Sequence, residues 1–94
     1  MGDRFSSEEL YALRNMVPIN TLVETLAIAC RSEGGYLRFQ CPVCRGFHTA
    51  TKKETNLGRC FTCRKNFNTI DLVMICERSS FVDSVRFLKR MKHE

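Results

Sequence analysis

Two Cys-x-x-Cys pairs constrain the fold of this chain more than any other feature of its sequence. The first pair is Cys41 and Cys44, and the second, Cys60 and Cys63, follows after fifteen residues. A spacer of two residues allows a tight turn to direct both sulfurs of a pair towards one point. Two such turns provide the four thiolates of a tetrahedral structural zinc site, and the spacing is typical of four-cysteine zinc sites. The sequence therefore predicts one structural Zn²⁺ bound by Cys41, Cys44, Cys60 and Cys63.

Other uses of these four cysteines stay open at the level of the sequence. A shell of four sulfurs can also hold a single iron or belong to an iron–sulfur site, and Cys-Pro-Val-Cys followed shortly by glycine resembles a rubredoxin knuckle. Two disulfides are a further alternative, although nothing in the chain indicates an oxidising compartment. His48 could replace one sulfur, but four thiolates already complete the shell. Cys30 and Cys76 lie outside the pairs and are predicted to be small buried hydrophobic residues.

Basic charge is concentrated around the cysteine pairs. The 94 residues carry a formal net charge of +5, and residues 31–68 hold eight Lys or Arg against two Glu, a balance of +6. Residues 1–30 are acidic, with a balance of −2, and residues 69–94 carry +1. Four thiolates with one divalent zinc would leave the middle segment at about +4. Such clustering indicates a nucleic-acid surface.

Helical patterns flank the cysteine-rich middle of the chain. A capping box formed by Ser6 and Glu9 predicts a helix that ends near Met16. Apolar residues at helical spacing over residues 19–26 predict a second helix, which Pro18 opens. Two more helices are predicted after the last cysteine. The first of them is predicted to be capped by Asn68 or Thr69, and the second by Ser80.

Short strands are predicted between the two helical parts. Segments 27–31 and 36–40 are predicted as strands around a turn at 32–35, and segments 48–53 and 59–61 as further strands, with Phe67 closing the sheet. Large apolar side chains are few between the first cysteine and residue 68, so the metal is expected to stabilise this segment and its binding to be coupled to folding.

The expected architecture is a single α+β domain. It consists of a helical lead-in at residues 1–26, a zinc ribbon with an antiparallel sheet at 27–68, and two C-terminal helices at 69–92. The N-terminus lacks the apolar segment of a signal peptide, and no apolar run approaches the roughly 18 residues of a membrane span. We therefore expect a cytoplasmic protein with reduced thiols and no membrane partner. His93 is expected to be a solvated residue of the tail.

Aromatic side chains are interleaved with the basic residues of the middle segment. Proteins that bind single strands combine a basic groove with aromatic rings on which bases stack. Alternation along a strand places Tyr36 and Arg38 on one face, and with Lys52 and Arg59 they form the preferred surface. Alternatively, the aromatic rings are only core and the charges are only solvated. The predicted nucleic-acid-binding residues are Tyr36, Arg38, Arg45, Lys52, Lys53, Arg59, Arg64 and Lys65.

Several segments carry a resemblance to a known family. They are Val17-Pro18-Ile19 at the start of a helix, a strand pair ending in Gln40-Cys41-Pro42, and Gly58-Arg59-Cys60-Phe61-x-Cys63. Together they resemble the zinc-binding domain of DnaG-type bacterial primases. Residues 69–74 and 80–85 are similar to that family's segments after the last cysteine, so the resemblance covers roughly residues 17–91. The family's second ligand is usually histidine, and here Cys44 occupies that position. The resulting four-cysteine form is similar to the zinc modules of phage primase-helicases.

The resemblance implies a role in DNA replication. In those families the zinc module helps to choose the single-stranded DNA template and supports the first steps of primer synthesis, while another domain polymerises. A chain of 94 residues has no room for that domain. We therefore expect either an excised domain or a small protein, of a phage or mobile element, that acts with a polymerase or primase subunit or a replicative helicase on another chain.

The residues themselves favour a binding module over an enzyme. A closed shell of four sulfurs has no open position at which to activate water. Phosphoryl transfer needs carboxylates that hold magnesium, and no acidic residue lies between Glu33 and Glu54. The alternative function is a zinc-ribbon subunit that docks on a polymerase or helicase without reading DNA.

Overall fold

The computed structural model describes residues 5–92, which form four helices and one five-stranded antiparallel sheet. Residues 1–4 of the predicted lead-in, and His93 with its predicted solvated position, lie outside the described residues. The fold is α+β, as predicted. The elements are α1 (Ser7–Met16), α2 (Ile19–Thr25), β1 (Cys30–Glu33), β2 (Tyr36–Phe39), β3 (Thr49–Lys52), β4 (Leu57–Cys60), β5 (Lys65–Phe67), α3 (Thr69–Glu77) and α4 (Phe81–Lys92).

The N-terminal helices begin as the sequence predicts, but the first strand begins later. Ser6 and Glu9 form the capping box: the Glu9 N–H donates to Ser6 Oγ at 3.0 Å, and the Ser6 N–H donates to Glu9 Oε1 at 3.2 Å. At the end of α2, Ala27 adopts a left-handed conformation with φ of 57°, and the Ile28 N–H donates to the Val23 carbonyl at 3.1 Å. Residues 27 and 28 therefore complete the helix end, and the prediction of a strand from residue 27 was wrong by three residues.

The sheet is a meander in which each strand pairs with its neighbour in sequence. Strands β1 and β2 are joined by Gly34 and Gly35 alone, with φ of 56° and 86°. Two consecutive residues with positive φ form the type I′ turn that suits a two-residue hairpin. Glu33 and Tyr36 are therefore held directly opposite each other, and the turn is shorter than the predicted four residues.

One face of the sheet is buried against the helices. Gly58 of β4 lies beneath the ring of Phe39, and a Cβ at Gly58 would come within 2.7 Å of the Phe39 Cζ atom. The ring can therefore cross the centre of the sheet only because residue 58 has no side chain. Other buried residues continue the same core through the sheet and the helices: Leu37, Thr49, Thr51, Cys60, Phe67, Leu13, Leu22, Val73, Val85 and Leu88.

The C-terminal helices begin at the predicted caps. Asn68 Oδ1 accepts from the Asp71 N–H at 2.8 Å, and the Asn68 N–H donates to Asp71 Oδ2 at 3.0 Å. Ser80 Oγ accepts from the Asp83 N–H at 3.1 Å at the start of α4. Among residues 5–92, no helix combines the length and apolar character that would let it cross a bilayer.

Asn56 fastens the sheet to the N-terminal helices. It lies in the turn between β3 and β4 with φ of 54°, and its Nδ2 donates to the carbonyls of Arg14 at 2.7 Å and Val17 at 2.8 Å. Its Oδ1 accepts the backbone N–H of Ile19 at 2.9 Å. One side chain therefore satisfies three backbone groups at the junction between α1 and α2.

Candidate metal centre and open sheet face

Four cysteine sulfurs converge at one end of the sheet. The Sγ atoms of Cys41, Cys44, Cys60 and Cys63 all lie within 4.8 Å of one another. Cys41 Sγ is 3.9 Å from Cys63 Sγ, and the separation between the sulfurs of the other two cysteines is 3.6 Å. The structure thus brings the predicted ligands together in a cluster that can hold a metal ion.

Each Cys-x-x-Cys pair forms a turn whose backbone N–H groups point at sulfur. In the first turn, the N–H groups of Val43 and Cys44 donate to Cys41 Sγ at 3.4 and 3.5 Å. In the second, the Cys63 N–H donates to Cys60 Sγ at 3.4 Å. N–H donors of this kind favour the charged form of sulfur. The local turns therefore support the thiolates that a metal requires.

The surroundings of the sulfurs shift the pKa values of Cys60 and Cys63 in opposite directions. Burial opposes ionisation of Cys60, but the Cys63 N–H and the neighbouring thiols outweigh it and lower the pKa of Cys60 to about 6. Burial, followed by hydrogen bonds to the other thiols, raises the pKa of Cys63 to about 12. Because metals bind thiolates, a cation must displace the remaining protons, and the affinity of the cluster for metal should rise with pH.

The other candidate ligands do not join the cluster. The donor atoms that lie close together belong to four cysteines, and His48 is exposed outside that group. None of the six cysteines, all of which lie within the described residues, forms a disulfide. Cys30 and Cys76 are half-buried, so they are less buried than predicted, although Cys30 packs against the core.

The face of the sheet that the helices leave uncovered carries a row of residues across all five strands. Arg31 pairs with Arg38, Arg38 with Ala50, Ala50 with Arg59, and Arg59 with Asn66. We call these five residues the cross-strand row. Because paired residues project to the same side of a sheet, the row places three guanidinium groups on one face, around the small side chain of Ala50.

Part of the cross-strand row, namely Ala50, Arg59 and Asn66, lines a depression with a volume of about 720 Å³. Both aromatic residues of its lining are largely exposed, Tyr36 at 58% and Phe61 at 61%. Arg59 lies between the Phe61 ring, whose centroid is 5.9 Å from the guanidinium carbon, and Asn66 Oδ1, which is 3.4 Å from Nη1. The depression is also lined by Lys52, Lys53 and Glu54.

The predicted nucleic-acid residues fall into three groups in the structure. Tyr36, Lys52, Lys53 and Arg59 line the depression, and Arg38 belongs to the cross-strand row. We call this side of the sheet the open sheet face.

The other three predicted residues lie elsewhere. Arg45 and Arg64 each follow the second cysteine of a turn, with φ of 68° and 56°. Lys65 lies away from the open sheet face, in a groove beside α3 with Val43 and Ile75.

Sequence reasoning missed Ala50 and Asn66 as parts of this face. Alternation with Lys52 along β3 indicates the side on which Ala50 lies, whereas the position of Asn66 follows only from the pairing of β4 with β5. Neither the family models nor the curated proteins with which the chain was compared give a match.

Proposed function

We propose that the cysteine cluster binds one Zn²⁺ as a structural ion. In a tetrahedron with Zn–S bonds of about 2.3 Å, the sulfurs are separated by about 3.8 Å. The sulfur of Cys41 is 3.9 Å from that of Cys63, and the sulfur of Cys44 is 3.6 Å from that of Cys60, both close to this value. Zinc has no redox chemistry, and four thiolates leave it no position for water. Metal analysis and the absence of colour in the purified protein separate zinc from iron. We expect the thiols to stay reduced in the cytoplasm.

The open sheet face is proposed to bind single-stranded DNA. The observation that carries this proposal is the cross-strand row beside two exposed aromatic rings, because single-strand binders pair basic residues with rings on which bases stack. Arg59, held against Phe61 and Asn66, contacts a phosphate, while Tyr36 and Phe61 offer surfaces for bases. The small Ala50 leaves room for the strand between the guanidinium groups.

We further propose that the bound strand is a template for primer synthesis. The resemblance to primase zinc modules supports this role, and the closed sulfur shell fits a module that binds rather than catalyses. Polymerisation then belongs to a primase or polymerase subunit, alone or with a replicative helicase, on another chain or in another part of a longer protein. The module raises the effective concentration of template at that active site without new chemistry.

A salt titration tests the binding face. A fluorescent dT strand of about 12 nucleotides, within the range of known site sizes, should bind with a slope of log K against log salt of about −2 to −3, for three to four phosphates. Replacing Lys52 and Arg59 by Ala should flatten the slope by about 1.4, since each lost contact contributes about 0.7. Fluorescence anisotropy over a range of salt concentrations measures both slopes.

The matched control removes the same charge from α4. Arg90 and Lys92 are exposed near the end of that helix, so replacing both by Ala should leave the slope near that of the parent chain. Equal slopes for the parent and the Lys52/Arg59 variant would reject the open sheet face as the binding site. A chain that binds a polymerase or helicase but no single strand would favour the docking alternative.

A priming assay tests the wider role. With single-stranded template, nucleotides and magnesium, the isolated chain should make no primer, because its metal shell is closed. Added to its cognate polymerase, it should increase initiation more than elongation. Primer synthesis by the chain alone would overturn the proposal of a non-catalytic module, and a cognate polymerase that neither binds the chain nor responds to it would reject the role in priming.

A further inference from the structure

Glu33 neutralises part of the cross-strand row. Its Oε1 lies 2.6 Å from Nε of Arg38, and its Oε2 lies 3.7 Å from Nε of Arg31. One carboxylate is therefore shared between two of the three arginines of the row. These are the N–H groups that a backbone phosphate would use, because guanidinium groups bind carboxylates and phosphates with the same geometry.

The backbone places Glu33 on the open sheet face. Glu33 is the last residue of β1, directly before the two-glycine type I′ turn, and its register partner is Tyr36. Arg31, which lies in the edge strand β1, has its guanidinium over the Phe47 ring, 5.5 Å from the ring centroid. Glu33 therefore projects from the open sheet face beside Tyr36, one of the two exposed aromatic residues of that face.

The other half of the face has no such acidic partner. Arg59 is hydrogen-bonded to the neutral amide of Asn66, and within residues 5–92 neither Lys52 nor Lys53 forms an ion pair. Glu54 lines the depression close to the two lysines, but it pairs with no cation of the described chain. The open sheet face thus has a compensated half at β1 and β2 and an uncompensated half at β3 and β4.

We propose that Glu33 is an internal competitor for the phosphate backbone of the bound strand, an inference that rests on the proposed function. A single strand binds first at Arg59 and Lys52. To reach Arg38 it must displace the Glu33 carboxylate, which then returns to water. Displacement costs little, because the carboxylate side chain is 51% exposed and exposed ion pairs are weak. Because the strand must break this ion pair before it reaches Arg38, Glu33 lowers the affinity for single strands by a small amount and keeps binding reversible.

The test compares two variants with the same change of charge. Glu33→Gln should increase the affinity for the dT strand about two- to fivefold at ionic strength of about 0.1 M, the range expected from releasing an exposed ion pair. Glu54→Gln adds the same charge near the depression without freeing an arginine, so its gain should be clearly smaller. Anisotropy titrations of both variants against the parent chain measure the difference.

A double-mutant cycle identifies the partner through which Glu33 acts. In a chain carrying Arg38→Gln, adding Glu33→Gln should give less than half of the gain that it gives in the parent chain, because the freed N–H group is absent. Metal content and circular dichroism of each variant verify the fold.

The possible outcomes separate the inference from the function on which it rests. If the parent chain binds dT but Glu33→Gln and Glu54→Gln gain equally, or if the gain is unchanged without the Arg38 guanidinium, Glu33 is not a competitor. If the parent chain does not bind dT at any salt concentration, the proposed function fails, and the inference fails with it.

Discussion

A chain carrying Cys60→Ser should lose its metal and the fold of its sheet together. Cys60 is fully buried at the end of β4, and its sulfur lies 3.6 Å from that of Cys44. Structural zinc contributes roughly 10–16 kcal/mol in small zinc domains, whereas a typical domain is stable by only about 5–15 kcal/mol. The free energy lost with the metal therefore equals or exceeds the free energy of unfolding of a typical domain. Elemental analysis and far-ultraviolet circular dichroism measure the two losses.

Cys76→Ser is the matched control for this loss. Cys76 is a half-buried thiol of α3 outside the cluster, so its replacement should leave one metal per chain and a cooperative unfolding transition. A Cys60→Ser protein that keeps its metal and its unfolding midpoint would contradict the assignment of the site. Acidification should release the metal from the parent chain, since protons then compete for the four thiolates.

The cysteine cluster was predictable because it is made locally. Each Cys-x-x-Cys pair directs its own two sulfurs through one tight turn, and only the meeting of the two turns depends on the fold. The caps at Ser6 and Asn68 were predictable for the same reason, since each cap bonds to a residue three positions away. Alternation along single strands also gave the correct side for Tyr36 and Arg38.

Features that depend on pairing between distant segments were not predictable. The start of β1 depends on how α2 ends, and the left-handed Ala27 has no side-chain feature that marks it. The cross-strand row needs the register of four separate strand pairs, and a shift of one residue in any of them would move its residues to the buried side. The ion pair of Glu33 with Arg38 depends in turn on the two-residue hairpin. For Asn56, the sequence indicates a turn but not the helices that its side chain meets.

Asn56→Gly should destabilise the chain strongly although the residue is not part of the cysteine cluster. The substitution keeps the positive φ of 54° available but removes all three side-chain hydrogen bonds to the junction of α1 and α2. At about 1 kcal/mol for each bond, the loss is about 3 kcal/mol. For a domain of this size that corresponds to a fall in melting temperature of roughly 12–24 °C. Thermal and urea unfolding of the metal-bound protein measure it.

Two further variants separate the hydrogen bonds of Asn56 from its backbone conformation. Asn56→Ala loses the same bonds and also places a Cβ in the left-handed region, so it should be less stable than Asn56→Gly by about 1 kcal/mol. Asn15→Ala is the control: it removes one exposed hydrogen bond, from Nδ2 to the Tyr11 carbonyl at 2.9 Å, and should change stability by less than about 0.5 kcal/mol. An Asn56→Gly protein as stable as the parent would mean that packing alone holds the sheet against the helices. A strong loss with full metal content would instead show that the helices and the metal stabilise the sheet separately, because the ligands of the cluster are untouched by the change.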